Sequence, residues 1–563
     1  MSRAVRFGAA AMAALLVLSG CTGGTGAEEP DRAVLAGEAL TEDLAPRAWA
    51  ASPARADTSS VEPLPIGTGW GPSGAEIERA RELVGRLSLR ERAGQVIVAR
   101  YAGSTPPSRL VNGLHLGGVV MFDDNVRSTD QVRSSNRALQ RSARAAGRRF
   151  PVTVAVDQEG GIVERVTTGT RFPAFMTAGA AADARLTRTA SRASGAELAG
   201  LGFTTDYAPV ADVTVGSGDA AIGSRSVGAS PGQVAEHVVA AAKGYRSAGV
   251  VPTLKHFPGH GALTADSHLT LPTQDRSVAE LERTDYVPFR AGVDAGLPSV
   301  MVGHINVPAV DRGVPASLSR AVITGQLRDR LGFEGLVVTD ALDMQAVAQR
   351  FASDRAAVRA LAAGADVVLM PPSPRAARDG IVRAVRSGRL SSERLVQAAT
   401  RQVALLLHQR AREASPRPPG AGRGVSARWS AAAVTSVSGP CQGRLVDRRV
   451  LARGATSDVL RFRAAAAPAG LQVVSKLPKK NKKARRQITT VRLVGTSGGP
   501  ATGDVVVALD RPYVLGTGRA PVRLATYGST PGAMSALVDV LVGRAEATGR
   551  LPVPVPGAPR PGC

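Results

Sequence analysis

An α/β fold is predicted for this chain: a (β/α)8 barrel of the TIM type, followed by a smaller C-terminal α/β sandwich-like domain. Three observations carry that expectation. Eight short apolar runs recur between residues 95 and 370 and alternate with helically spaced segments. The runs are nearly continuous in apolar character, as parallel strands covered on both faces are. Polar residues able to carry chemistry stand where the runs end, at Asp157, Asp206, Lys255 with His256, His304 and Asp340. In a barrel those ends share one face, and a doubly wound open sheet is the structural rival.

Taken in order, residues 1–21 read as a signal peptide. Arg3 and Arg6 precede the apolar run Ala9 to Leu18, which is too short for an ordinary membrane span and ends in Leu18-Ser19-Gly20-Cys21. That ending resembles a bacterial lipobox and implies cleavage before Cys21 and acylation of its thiol. Residues 22–74 lack sustained periodicity and read as a disordered tether. Helical spacing begins at Ala75 to Leu87 and opens the barrel segment, 75–412. The strands expected are Gln95 to Ala99, Gly118 to Phe122, Val152 to Val156, Phe203 to Pro209, Val251 to His256, Ser299 to His304, Gly335 to Thr339 and Asp366 to Met370. The Pro- and Gly-rich stretch 413–428 reads as a linker, and residues 429–563 as the second domain, with strands near Asp504 to Leu509 and Val522 to Tyr527 and a helix from about Pro531.

Composition narrows the function. Net charge is +24, with the densest basic run at Lys476 to Arg486, but no aromatic residues interleave it for base stacking, so nucleic acid is not an expected partner. Cys441 and Cys563 form an even pair in a chain read as exported, and a disulfide between them is expected on compartment alone. They lack zinc-site spacing, and no metal or cofactor is expected.

The chemistry concentrates in residues 251–273, VPTLKHFPGHGALTADSHLTLPT, which hold His256, His260 and His268 out of 7 histidines in the chain. Asp266 stands two residues before His268, and a carboxylate beside an imidazole orients it and stabilises its protonated form. Asp340, at the end of an apolar run, fits a metal ligand, a helix cap or a nucleophile; Asp343 fits the first turn of the following helix. Asp157 and Arg165 flank a glycine-paired turn, where carboxylate and guanidinium can hold sugar hydroxyls in opposite donor and acceptor senses.

Together, VDQEGG with Arg165, YAPVADV, IGSRS, KHFPGHG followed by ADSH, and VVTDALDM resemble the β-N-acetylhexosaminidase branch of glycoside hydrolase family 3, over about residues 76–412. The C-terminal segments VVVALDRPYVL, APVRLATYG and GRLPV also resemble the sandwich appended in two-domain members, in a shorter form. Where the family often carries arginine directly after VDQEGG this chain has Ile162, and Thr339 stands where serine is common.

The resemblance implies retaining hydrolysis of terminal non-reducing β-linked N-acetylglucosamine. In that scheme Asp340 is the nucleophile, His268 with Asp266 is the acid/base, and Asp157, Arg165, Arg225, Lys255 and His256 contact the sugar hydroxyls. The expected partners are a carbohydrate substrate, from cell-wall fragments or chitin-type oligosaccharides, and the membrane through the lipid anchor. The expected state is a monomer, anchored to the outer face of the cell membrane or secreted. A β-glucosidase or β-xylosidase, a phosphorolytic variant and a non-catalytic glycan-binding lipoprotein are the competing functions.

Overall fold

The computed structural model describes residues 66–563 apart from 220, 413–414, 479–480, 497 and 500. The signal peptide, Cys21 and the first part of the tether lie outside the described residues. Parallel strands occupy eight positions. They are β1 Ile97–Arg100, β2 Gly118–Met121, β3 Thr153–Val156, β4 Thr205–Asp206, a fifth position split into β5 Val251–Pro252 and β6 Leu254–Phe257, β7 Ser299–Val302, β8 Leu336–Thr339 and β9 Val368–Leu369.

Two ladders, β9-β1-β2-β3-β4-β5 and β8-β7-β6, make up the sheet. Parallel bridges Val338 to Val367 and Val210 to Lys255 link them, so the sheet curls into a barrel and the open-sheet rival falls. All eight expected runs are strands. Every residue of β2, β3, β7 and β8 is buried, which is why apolar character runs on without alternation.

The outer layer follows from amphipathic helices with explicit caps. Helix α1 (Gly74–Gly85) starts at a capping box: Ser73 Oγ accepts the Glu76 N–H and Glu76 accepts the Ser73 N–H at 2.8 Å. It buries Ile77, Ala80, Leu83 and Val84 toward the long helix α4 (Ser392–Ala411). Between them, α2 (Ala184–Leu201), capped by Asp183, packs on α3 (Pro231–Ser247). At the N-terminal end of β9, fully buried Asp366 collects Arg328 at 2.7 Å, Arg394 at 2.8 Å and Arg401 at 3.4 Å.

The stretch read as a linker is packed instead. Arg417 N–H donates to Ala196 O at 2.8 Å, Glu197 accepts the Gly420 and Gly422 N–H groups, and α5 (Arg423–Ala433) buries Ser426 and Trp429. A second sheet follows, built from β10 Thr435–Ser438, β11 Arg449–Arg453, β12 Gln472–Val473, β13 Ile488–Val494, β14 Val505–Ala508 and β15 Val522–Ala525. Its order is β10-β15-β14-β13-β11-β12, with only β10 antiparallel to its neighbour. Helices α6 (Thr456–Ala466) and α7 (Pro531–Leu541) pack with it around Phe462, Leu493, Val507 and Leu537. Val506 and Tyr527 share a core with Met176 of the barrel segment. Cys441 and Cys563 are disulfide-bonded, with Cα atoms 5.8 Å apart. Among the described residues no helix is long and apolar enough to cross a membrane.

Candidate active site

The C-terminal ends of the barrel strands open onto a cleft of about 290 Å³. Asp340, His268 and Asp266 line it, and so do Asp157, Arg165, Arg225, Lys255 and His256; the structure brings every residue expected at the barrel site to one cleft.

Its floor is a chain of paired charges. Lys255, at the second position of β6, places Nζ 2.6 Å from Asp157 Oδ1 and 2.7 Å from Glu159 Oε1. Glu159 also accepts two bonds from the Arg225 guanidinium, both at 2.8 Å. Burial opposes charge on all three of Glu159, Arg225 and Lys255, but their mutual attraction overrides it: Glu159 is held well below the usual carboxylate range, and Lys255 and Arg225 above their ordinary values. The floor therefore presents fixed donors and acceptors to a substrate without reorganising.

Beneath it lies Asp206, at the end of β4 and fully buried. Its Oδ1 accepts the Gln158 N–H at 2.9 Å, while Oδ2 has no partner. Burial pushes this carboxyl up to about 8.

On the segment that follows β4, Asp212 Oδ2 lies 2.7 Å from His256 Nδ1, and Asp212 Oδ1 accepts the His260 N–H at 2.7 Å. His260 turns its Nε2 to Ser267 Oγ at 2.9 Å, and burial lowers its imidazole to about 4. These two histidines are thus a support for the cleft wall and for the loop carrying His268.

Asp340 follows β8. Its backbone N–H donates to Val302 O at 2.9 Å and its Oδ1 accepts the Ala341 N–H at 2.8 Å, so it is not a cap of the next helix. Burial would raise its carboxyl, yet His256, His304 and the Ala341 N–H together hold it below the ordinary value, keeping an ionised oxygen in the cleft. His304 is fixed under it by Ser317 Oγ at 2.6 Å and Ala341 O at 2.8 Å. Asp343 departs from expectation: the next helix starts only at Gln345 with Met344 at its cap position, so Asp343 precedes the first turn and lines the cleft.

His268 is 66% exposed on its loop, with Nδ1 held 2.8 Å from Asp266 Oδ1; the same oxygen accepts the His268 N–H at 2.9 Å. That pairing leaves Nε2 to meet an incoming group. Phe122, also lining the cleft, receives two cations, Arg100 at 4.7 Å and Arg165 at 4.9 Å from the ring centroid. Glu159, Asp212, Arg100 and Phe122 were not singled out as site residues from the sequence, because each acquires its place through a partner distant along the chain, whereas Asp206 was read there as a polar strand end and lies buried.

A barrel whose strand-end cleft sets an ionised carboxylate and a carboxylate-backed imidazole around a floor of paired charges has the form of a glycoside hydrolase. Residues 88–405, more than half of the chain, match the glycosyl hydrolase family 3 N-terminal domain, and the chain belongs to that family. Among relatives, a beta-hexosaminidase A of Pseudoalteromonas piscicida is 34% identical over 286 residues, covering 47% of this chain and 48% of that protein, so the chain spans about half of its length. The beta-hexosaminidase LpqI of Mycobacterium tuberculosis is 35% identical over 316 residues, covering 54% of this chain and 79% of that protein. A solved family 3 beta-N-acetylglucosaminidase from a Paenibacillus species superposes with a TM-score of 0.75 at 29% identity, covering 84% of this chain and 99% of that one.

Proposed function

We propose that this chain is a retaining, exo-acting β-N-acetylhexosaminidase that removes terminal non-reducing β-linked N-acetylglucosamine from cell-wall fragments or chitin-type oligosaccharides. The observation that carries the reading is the meeting of Asp340, Asp266 and His268 in one cleft above the Asp157–Lys255–Glu159–Arg225 floor. The hexosaminidase names of its relatives support the amino sugar as substrate.

In this mechanism the sugar's hydroxyls exchange hydrogen bonds with Asp157, Lys255, Arg225 and His256. An Asp340 oxygen attacks the anomeric carbon as the bond to the leaving oxygen breaks, and His268 Nε2–H passes its proton to that oxygen. Water then attacks the glycosyl ester, His268 takes the water proton, and Asp340 departs as a carboxylate, so two inversions give net retention. Asp266 orients the imidazole and stabilises its cationic form.

A panel of aryl β-glycosides differing only at the 2-acetamido group tests the reading. Turnover of the N-acetylglucosaminide well above the glucoside and xyloside is expected, and the reverse order would overturn it. The lipobox-like Leu18-Ser19-Gly20-Cys21 and the Cys441–Cys563 bond support an extracytoplasmic, lipid-anchored enzyme. Release of the protein from membranes by Cys21→Ala tests that placement.

A further inference from the structure

A second cavity, of about 340 Å³, lies between the barrel and the C-terminal sheet, in the size range of about 300–1,000 Å³ typical of small-molecule sites. Its position follows from topology. The chain lays down β11, steps outward to β12, then returns past β11 to β13, β14 and β15, so its direction of travel reverses between β11 and β13. Open parallel sheets bind ligands outside the carboxyl ends of their strands at such a reversal. This cavity is lined by the residues that follow those ends: Asp458 and Arg461 after β11, Thr496 after β13, Asp510 after β14 and Ser529 after β15.

The opposite wall comes from the barrel, through Ile162 and Arg171. It is held in place by the Ala174 N–H, which donates to Tyr527 O at 3.0 Å. Ile162 is 54% exposed, one of four large apolar side chains so exposed among the described residues, and it faces this cavity. It also sits at the tip of the hairpin formed by Gln158–Gly160 and Val163–Glu164, the turn that carries Glu159 into the strand-end cleft.

The lining selects a chemistry. Arg461 bonds Asp458 at 3.0 Å and Ser529 Oγ at 3.2 Å, Arg171 is paired with Glu164, and Asp510 accepts from Ser224. Cations and carboxylates are matched, so neither a free anion nor a cation gains from the field. What remains on offer is closely spaced donors and acceptors beside the apolar Ile162, Leu509 and Pro531. A ring with hydroxyls at its edge and C–H groups on its face satisfies both.

We propose that this interdomain cleft is a second saccharide-binding site, taking a neutral sugar unit, whose occupant braces the 158–164 hairpin beneath the hydrolytic cleft. The choice of probe rests on the function proposed above, while the site itself does not.

The test is calorimetric titration of the full chain, carrying Asp340→Asn to stop turnover, with N,N'-diacetylchitobiose. Two binding events per chain are expected. Arg461→Gln, and independently Ser529→Leu, should weaken one of them about tenfold or more while leaving the other, and aryl-glycoside turnover in the Asp340 background, unchanged. A single event that survives both substitutions, or no event, overturns the site. A single event abolished by both supports it while counting against the strand-end cleft as the N-acetylglucosamine site, so the two readings fail separately.

Discussion

Asp212 holds His256 at two points: Oδ2 lies 2.7 Å from the imidazole Nδ1, and Oδ1 accepts the His256 backbone N–H at 3.1 Å. The carboxylate thereby fixes both the ring and the chain at the residue that follows Lys255. Removing it should be felt in substrate binding before chemistry. Asp212→Asn is expected to cost about 1–3 kcal/mol of transition-state binding, a fall of about 5- to 150-fold in kcat/KM expressed mainly in KM. Burial would raise the Asp212 carboxyl, but His256 holds it below its ordinary value, so its contribution to stability is present above the unfolded pKa of about 3.9 and lost as pH falls through the lowered folded value. Asp212→Asn should accordingly flatten the acid limb of a Tm-versus-pH profile.

The nucleophile and the acid/base proposed above, Asp340 and His268, should separate kinetically. Asp340→Asn is expected to reduce aryl-glycoside turnover by more than about 10³-fold with the fold intact by circular dichroism. His268→Ala should lose about 10²- to 10⁴-fold on substrates with poor leaving groups, and far less where the leaving group needs no proton. Equal losses on both substrate types would remove His268 from the acid role.

Asp206 gives a pH signature of opposite sense. Its folded pKa is raised by burial to about 8, so the stability of its protonated form is fully present below the unfolded value of about 3.9 and is lost as pH rises through 8. Asn keeps an oxygen for the Gln158 N–H and carries no charge. Asp206→Asn should therefore raise Tm more at pH 8 than at pH 5, and thermal scans at the two values check it.

Asp366 makes the largest expected stability effect. Replacing it with Asn leaves Arg328, Arg394 and Arg401 facing one another without a counter-charge in a buried site. A loss of about 3–5 kcal/mol is expected, measurable by urea denaturation, with little change in KM for protein that remains folded.

The barrel was legible because its strands are covered on both faces, so β2, β3, β7 and β8 show as unbroken apolar runs, and because their polar ends collect at one rim. The second sheet was legible only where it repeats that pattern, in β14 and β15. In β13, ITTVRLV, polar residues interrupt the run next to a strongly basic segment, and β11, RVLAR, has charged ends. The linker reading of 413–428 missed the tertiary packing that ties Arg417 to Ala196 and buries Ser426 in α5, in a stretch whose composition resembles coil. At the site, the groups with motif neighbours, Asp340, His268 and Asp157, stood out. Asp212 and Glu159 did not, since their meaning lies in bonds to residues 44 and 66 positions away.

The Cys441–Cys563 bond closes a loop with a sequence separation of 122 residues, taking in nearly all of the second sheet. A protease that nicks any exposed turn inside that ring opens it without releasing a fragment, so the cut molecule migrates as one species until a reductant is added and as two afterwards. Such a clasp carries the molecule through a first cleavage with its parts still joined.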